Sequence, residues 1–236
     1  MNKKCLALGA VCAIFIGCRV QAGTFRIDVS KVPEKAEWAE KELKPALEAY
    51  VLKVVELLDG KGAKWTRGEV VLTLDPKYEG VAEACSEKRH ITLGMKFAAE
   101  FPHEVKGACV HEFAHVVQDY RSAPGRADPY KAPPSWLTEG ISDWVRWCNY
   151  EGEAGLKGVY AMAKEKPKHN DSYRITAAFL DYVVRKYDRD LIVKLNKVCR
   201  EGRYGEHIWK KFTGKSRRDL AEEWKQFLKN QVKVNP

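Results

Sequence analysis

Hydrophobic and polar positions alternate in four short stretches within the first hundred residues. Alternation of this kind predicts β-strands with one buried face, here over residues 24–29, 69–74, 81–85 and 89–93. Between the first two strands, residues 34–58 have helical periodicity, and Pro45 marks a kink or a boundary between two helices. The N-terminal part of the chain is therefore expected to combine a small sheet with helix.

From residue 102 onward, the apolar positions recur at helical spacing. This spacing predicts helices over residues 102–120, 135–150, 172–187, 190–200 and 216–229. Asp171 or Ser172 can cap the third of these helices, and Ser216 with Asp219 resembles a capping box at the start of the last. No regular element is predicted for residues 121–134 or 151–170. Because strands come first and helices second, we predict an α+β fold with a small sheet packed on a helical body.

The first 22 residues are expected to be a secretory signal peptide. A basic start, an apolar stretch over residues 6–17 and a small-residue pattern ending at Ala22 are typical of such a signal. The alternative is a lipoprotein signal with Cys18 as the lipid anchor, although Phe15 fits that signal poorly. We therefore expect an exported protein, secreted or held in the periplasm or at the cell surface, with no membrane span.

The length that remains suits one medium domain. We expect residues 23–236 to form a single monomeric domain, with an α/β lobe over residues 23–120 and a helical lobe over residues 121–236. The formal charge falls from +9 to +6 without the signal, because residues 1–22 contain three basic residues and no acidic ones. Lys and Arg alternate with Asp and Glu along the rest of the chain, with the densest basic segment at residues 210–218. This mixture favours a solvated surface over a nucleic-acid partner.

Four cysteines remain after the signal, and their spacing does not define a pairing. They are Cys85, Cys109, Cys148 and Cys199. An exported protein can oxidise such residues, so one disulfide and buried free thiols are both expectations. None of the four belongs to a C-x-x-C pair, which argues against a thiolate zinc cluster.

The strongest chemical signal is the sequence H-E-x-x-H at residues 111–115. Residues four apart lie on one face of a helix, so His111 and His115 can bind the same metal ion. Zinc in such a site lowers the pKa of its water to about 7, and the carboxylate of Glu112 is placed to act as the general base. The surrounding positions are apolar, so this helix is expected to be largely buried, where two histidines and a glutamate need a partner.

A catalytic zinc needs a third protein ligand from another element. Glu139 and Asp143 are four residues apart on the next predicted helix and therefore share one face. One carboxylate can bind the metal while the other accepts the N–H of a ligand histidine. We prefer Glu139 as the ligand, with Asp143 as the alternative.

H-E-x-x-H followed by E-x-x-x-D resembles the gluzincin metallopeptidases. Closer still, the runs at residues 111–118, 136–146, 173–180 and 195–197, with Gly214-Lys215-Ser216 before the last helix, are similar to the plant basic secretory protein family and its bacterial relatives. The resemblance covers about residues 24–230 and implies a zincin-like fold, with Glu139 on one zinc ion and Asp143 behind His111. One position departs from the family pattern, because Ala178 stands where an arginine is expected.

Two further roles are predicted around this core. Tyr173, at a helix start in the family-like segment, is the candidate for stabilising the oxyanion of the reaction, with a packing role as the alternative. Residues 89–93 are the candidate edge strand for an extended substrate, with an ordinary core strand as the alternative. His169 is expected to be a surface residue.

These observations predict a secreted zinc metallopeptidase that acts on peptide or protein substrates, as an endopeptidase or an aminopeptidase. One alternative is a catalytically silent zincin-like protein that binds glycans or anionic surface polymers. The intact core residues of the site argue against a silent protein. A second alternative, a cationic protein that binds glycans or anionic polymers, draws on the positive charge and the many Trp and Tyr residues but leaves the spacing of the histidines and carboxylates unexplained.

Overall fold

The structure is a computed structural model that describes residues 24–120 and 131–233, with side chains up to residue 230. The expected signal peptide with Cys18 and most of the predicted loop over residues 121–134 lie outside the described residues. Within the described ranges, no helix is both long and apolar enough to cross a bilayer.

Four strands form one mixed sheet, as the alternating pattern predicted. They are β1 (Phe25–Asp28), β2 (Val70–Asp75), β3 (Ala82–Cys85) and β4 (His90–Gly94). Their order in the sheet is β1-β2-β4-β3; β1, β2 and β4 are parallel, and β3 pairs antiparallel to β4. The prediction that residues 89–93 form the edge strand is wrong, since β4 lies between two neighbours. The edge strand is β3.

Helices make up most of the rest of the described chain. They are α1 (Ala36–Trp38), α2 (Lys44–Asp59), α3 (Met95–Glu100), α4 (Val105–Gln118), α5 (Ser135–Val145), α6 (Gly152–Glu165), α7 (Tyr173–Lys186), α8 (Leu191–Arg200), α9 (His207–Thr213) and α10 (Arg217–Lys233). The α+β class is confirmed. Helices α3, α6 and α9 were not predicted from the sequence.

The predicted break at Pro45 is a π-helical turn. Residues Ala39–Leu43 form this turn between α1 and α2, directly before Pro45 near the start of α2. Proline has no N–H to continue the α-helical hydrogen bonds, and a wider turn accommodates it without breaking the helix. A second π-helical turn, Arg146–Tyr150, extends α5 to the predicted end of that helix.

The caps predicted for α7 and α10 are present. The Oγ of Ser172 accepts a hydrogen bond from the N–H of Ile175 at 3.3 Å and caps α7. The Oγ of Ser216 accepts from the N–H of Asp219 at 3.2 Å at the start of α10. Each cap satisfies an N–H that the first helical turn leaves without a partner.

Helix α4 is fixed to the sheet by its apolar face. Phe113, within the H-E-x-x-H sequence, is buried and packs edge-on against Phe25 and Trp65, at ring-centroid distances of 5.1 and 5.4 Å. Helices α2 and α4 pack on each other and on the sheet. The opposite face of α4, which carries the two histidines, is thereby turned toward β3 and α5.

Helices α5 and α7 approach closely at Gly140. A Cβ atom at this position would lie 2.2 Å from Cγ2 of Thr176, so only glycine allows the observed spacing. This contact fixes α5, and with it Glu139 and Asp143, against the body of the protein.

Candidate active site

A cleft of about 1010 Å³ runs between β3 and helices α4, α5 and α7. Its lining contains every residue to which the sequence assigned a role in the reaction or in metal binding, namely His111, Glu112, His115, Glu139, Asp143 and Tyr173. The edge strand β3 forms one wall along its whole length.

Three ligand atoms meet at the floor of this cleft. The Nε2 atoms of His111 and His115 lie 3.1 Å apart, and each lies 3.2 Å from Oε2 of Glu139. A tetrahedral zinc with bonds of about 2.0–2.1 Å separates its ligand atoms by about 3.3–3.4 Å, so the triangle has the size that zinc requires. Within the described residues, this is the one group of His, Cys, Asp and Glu side chains arranged to hold a metal.

Hydrogen bonds to the outer ring nitrogens orient both histidines. Nδ1 of His111 lies 2.8 Å from Oδ1 of Asp143, and Nδ1 of His115 lies 2.7 Å from Oε1 of Gln118. The amide nitrogen of Gln118 donates to the carbonyl of Thr138 at 2.9 Å, so its oxygen faces the ring and must accept from it. Both rings therefore hold a proton on Nδ1 and turn Nε2, the nitrogen that would bind a metal, toward Glu139.

This arrangement creates a strong local preference for a cation. Two imidazole lone pairs and a carboxylate oxygen at about van der Waals separation repel one another unless a proton or a metal lies between them. Burial of His111 disfavours its charged form, but hydrogen bonds to Asp143 and Glu139 outweigh burial and raise its pKa to about 9. Burial likewise opposes ionisation of Glu139, yet the two histidines hold its pKa well below the usual range.

Glu112 has the opposite environment. Burial raises the pKa of its carboxyl, and the negative charges of Glu139 and Glu83 add to this, while the two histidines act against it. A carboxylate with a raised pKa is a better proton acceptor. Its place in the lining of the cleft, together with this raised pKa, therefore suits it to acid–base chemistry.

Exposed apolar surface is concentrated at the cleft. Four large hydrophobic side chains are exposed in the described residues, and three of them, Val81, Met162 and Tyr173, line the cleft. Tyr173 is half-exposed (51%), which argues against the packing role that was its alternative. Surface of this kind, beside a few converging polar groups, is typical of a binding site.

Sequence reasoning gave no role to Gln118 or Ser142. Both are buried, and the Oγ of Ser142 lies 3.2 Å from Nδ1 of His115 as a second partner of that nitrogen. The sequence signal that could have identified Gln118 was a polar residue three positions after His115 on an otherwise apolar helix.

Ala178, the departure from the family pattern, is fully buried in α7.

The prediction of a surface position for His169 is wrong. Its ring is half-buried and packs against Trp136 and Phe179, with centroid distances of 5.6 and 5.1 Å. Arg217 hydrogen-bonds to its Nε2.

The basic segment over residues 210–218 is partly neutralised, since Lys215 pairs with Glu223 and Arg217 with Glu206.

The four cysteines are separate thiols. Cys109 and Cys199 are buried, Cys148 is half-buried and Cys85 is exposed. Of the two expectations from the sequence, the structure has free thiols, although one of them faces the solvent. Burial raises the pKa of Cys109 and of Cys199 to about 12, so neither is a nucleophile at neutral pH.

The fold and the site define an α+β protein with a histidine–carboxylate cluster in a deep cleft. The chain belongs to the basic secretory protein (BSP) family, whose family model, described as a peptidase of plants and bacteria, matches residues 35–224. This confirms the resemblance drawn from the motifs and identifies the protein as a member of a peptidase family. Neither the curated proteins nor the solved structures give a significant match.

Proposed function

We propose that the protein is an exported zinc-dependent metallopeptidase with a zincin-like active site. The observation that carries the proposal is the triangle formed by His111, His115 and Glu139, with sides of 3.1–3.2 Å and both histidines turned by their hydrogen bonds to present Nε2. Membership of a peptidase family supports the reaction class.

These three residues would hold one zinc ion, with Asp143 and Gln118 orienting the histidines from behind. Zinc at this position would act as a Lewis acid that polarises the peptide carbonyl and acidifies water. Glu112 takes the proton of the attacking water and delivers it to the leaving amine. Tyr173 donates from its phenol to the carbonyl oxygen as negative charge develops there.

The edge strand β3 supports an extended peptide as the substrate. β3 pairs with β4 on one side, and its other side is not paired with any strand in the described residues. Because it lines the cleft, a peptide can add to the sheet there and pass in front of Glu112. The exposed side chains of Val81, Met162 and Tyr173 then provide apolar contacts.

The test is the zinc content and turnover of protein that starts at residue 23, compared across three variants. Wild type should bind one zinc and hydrolyse a peptide library, and Glu139→Ala should lose both. Glu112→Gln should keep zinc but lose about 10²–10⁴-fold in turnover. Glu153→Ala, an exposed carboxylate on α6, is the matched control and should change neither.

Three outcomes would count against the proposal. If the wild type binds no zinc after reconstitution, the protein is not a zinc-dependent enzyme. Zinc bound without hydrolysis of any peptide leaves the alternative, a silent binding protein. Unchanged turnover in Glu112→Gln would identify a contaminating protease as the source of activity.

A further inference from the structure

Two arginines stack on one tryptophan at the end of the cleft nearest the start of α4. The guanidinium carbons of Arg146 and Arg174 lie 4.2 and 4.1 Å from the ring centroid of Trp147. All three residues line the cleft. Stacking on an aromatic face holds a guanidinium flat and leaves the N–H groups at its edge available for a planar anion.

The two arginines differ in their carboxylate partners. Arg146 is buried and pairs with both Glu104, at 2.8 Å, and Glu151, at 3.4 Å. Arg174 has a 42% exposed side chain, and its closest carboxylate in the described residues is the same oxygen of Glu104, 3.8 Å away. This separation is too long for a hydrogen bond. Arg146 is therefore satisfied within the protein, while Arg174 retains donors for a ligand.

The start of α7 holds Arg174 in place. Ser172 caps the helix, and the hydroxyl of Thr176 donates to the carbonyls of His169 and Ser172 at 2.8 and 3.0 Å. Together with the Trp147 stack, these contacts fix both ends of the arginine side chain. A pre-organised guanidinium of this kind binds with a smaller loss of side-chain entropy than a mobile one.

The position of Arg174 beside the start of α4 gives its distance from the reacting bond. Its neighbour Glu104 directly precedes α4, seven residues before His111. Seven residues are two helical turns, which place Glu104 on the same face about 10 Å from His111. An extended peptide covers about 3.3 Å per residue, so the side chain of Arg174 reaches a substrate group about three residues from the scissile bond.

The direction of the bound peptide follows from β3. Ser86, directly after β3, donates to the carbonyl of His115 at 2.8 Å, and β3 packs along α4. The strand therefore runs from the start of α4 toward His115. A peptide that adds to β3 in the commoner antiparallel sense runs the opposite way, so its C-terminal part lies toward Arg174.

We propose that Arg174 recognises a carboxylate of the substrate about three residues to the C-terminal side of the scissile bond. This inference rests on the proposed peptidase function. The carboxylate is either the free C-terminus of a short peptide or the side chain of an internal Asp or Glu. In both cases, planar bidentate recognition by arginine is the shared chemistry.

Internally quenched peptides that share one core sequence provide the test. One pair ends in a free acid or an amide, and further pairs carry Glu or Gln at each of the first four positions after the scissile bond. Wild type should prefer the carboxylate member of at least one pair by about 10- to 100-fold in kcat/KM, the range for a charge-assisted hydrogen bond. The pair that responds distinguishes the C-terminus from a side chain.

Arginine variants assign this preference. Arg174→Met should abolish it, and Arg174→Lys should keep a smaller one, since an ammonium keeps the charge but loses the planar fork. The matched control is Arg189→Met, an exposed arginine outside the cleft lining, which should keep the full preference. Zinc content and circular dichroism equal to wild type exclude misfolding of the variants.

A binding measurement separates this inference from the peptidase proposal. Fluorescently labelled members of every pair, the acid and amide peptides and the Glu and Gln peptides, are titrated against Glu112→Gln and Glu112→Gln/Arg174→Met, in which the peptide stays intact. If wild type cleaves no peptide but a carboxylate preference in binding is lost with Arg174, the inference stands while the proposed function fails. Equal binding of both members of every pair, or a preference that survives the Arg174→Met change, would overturn the inference.

Discussion

The side-chain oxygen of Gln118 lies 2.7 Å from Nδ1 of His115, and the nitrogen of the same amide donates to the carbonyl of Thr138 at 2.9 Å. One buried side chain thus joins the helix that carries both histidines to the helix that carries Glu139. The contact sets the tautomer of His115 and the separation of α4 and α5 at the same time. Metal affinity should therefore depend on a residue that cannot itself reach the metal.

Gln118→Met tests this dependence because methionine is close in size and its thioether sulfur is only a weak acceptor for the ring N–H. Zinc affinity should fall about 10- to 100-fold, the usual effect of losing a hydrogen-bond partner behind a ligand histidine. Ser142 remains at 3.2 Å from Nδ1, so binding should weaken without disappearing. Competition with a fluorescent chelator measures the affinity, and Gln226→Met, an exposed glutamine on α10, is the control. Equal affinity in wild type and Gln118→Met would contradict the role.

The contact between Gly140 and Thr176 predicts an unusual response to alanine. Replacing a helical glycine by alanine ordinarily stabilises a helix by up to about 1 kcal/mol. At Gly140 the new methyl group would lie 2.2 Å from Cγ2 of Thr176. The helices must separate, so Gly140→Ala should lower the free energy of unfolding by about 1–3 kcal/mol.

Two further variants test whether this contact is the cause. Gly140→Ala/Thr176→Ser removes Cγ2 but keeps the hydroxyl, and it should recover part of the loss in urea unfolding. Gly158→Ala on α6 is the matched control, because no atom lies within 4 Å of its added Cβ. That control should be neutral or stabilising. A neutral Gly140→Ala would show that α5 and α7 can move apart freely.

Cys85 offers a chemical test of the edge strand. It is exposed at the end of β3 and lines the cleft, whereas Cys109 and Cys199 are buried. A bulky maleimide should therefore react first at Cys85 and obstruct a peptide lying along β3. Labelling should lower kcat/KM by about tenfold or more, while Cys85→Ser treated in the same way should keep its activity. Full activity after complete labelling of Cys85 would place the substrate elsewhere.

The two halves of the site were predictable from helical spacing, and the family resemblance predicted that they meet. His111 and His115 are four residues apart on α4, and Glu139 and Asp143 are four apart on α5. Either pair must share a face of its helix. The same local rule predicted the caps of α7 and α10, which depend on contacts within three residues.

The predictions that were wrong or missing concern contacts between segments far apart in the sequence, and helices with a weak sequence pattern. Strand order depends on long-range pairing, so the pattern of β4 could not show that β3 would cover its outer edge. Helix α6 contains Gly152, Gly155 and Gly158, which lower helix propensity and obscure its periodicity. The partners of Gln118 and Arg174 lie on other helices, and no spacing within the chain indicates such contacts.

The environment of His169 predicts a loss of stability in mild acid. Burial, together with the positive charges of Arg217 and Lys225, lowers its pKa from 6.5 to about 4. The folded protein then binds a proton on this ring only below about pH 4, whereas the unfolded chain does so below about pH 6.5. Between these values the unfolded state holds more protons, so the free energy of unfolding decreases as the pH falls.

His169→Gln isolates this contribution, because glutamine does not titrate but can still accept from Arg217. Urea unfolding of both proteins in EDTA, at several pH values between 7 and about 4.5, excludes metal loss from the comparison. Wild type should lose about 1–3 kcal/mol more than the variant over this range. The ionisable groups common to both proteins cancel in the difference. If the free energy of unfolding depends on pH equally in the two proteins, the His169 ring binds a proton as readily in the folded state as in the unfolded state. Its aromatic and cationic neighbours would then not lower its pKa.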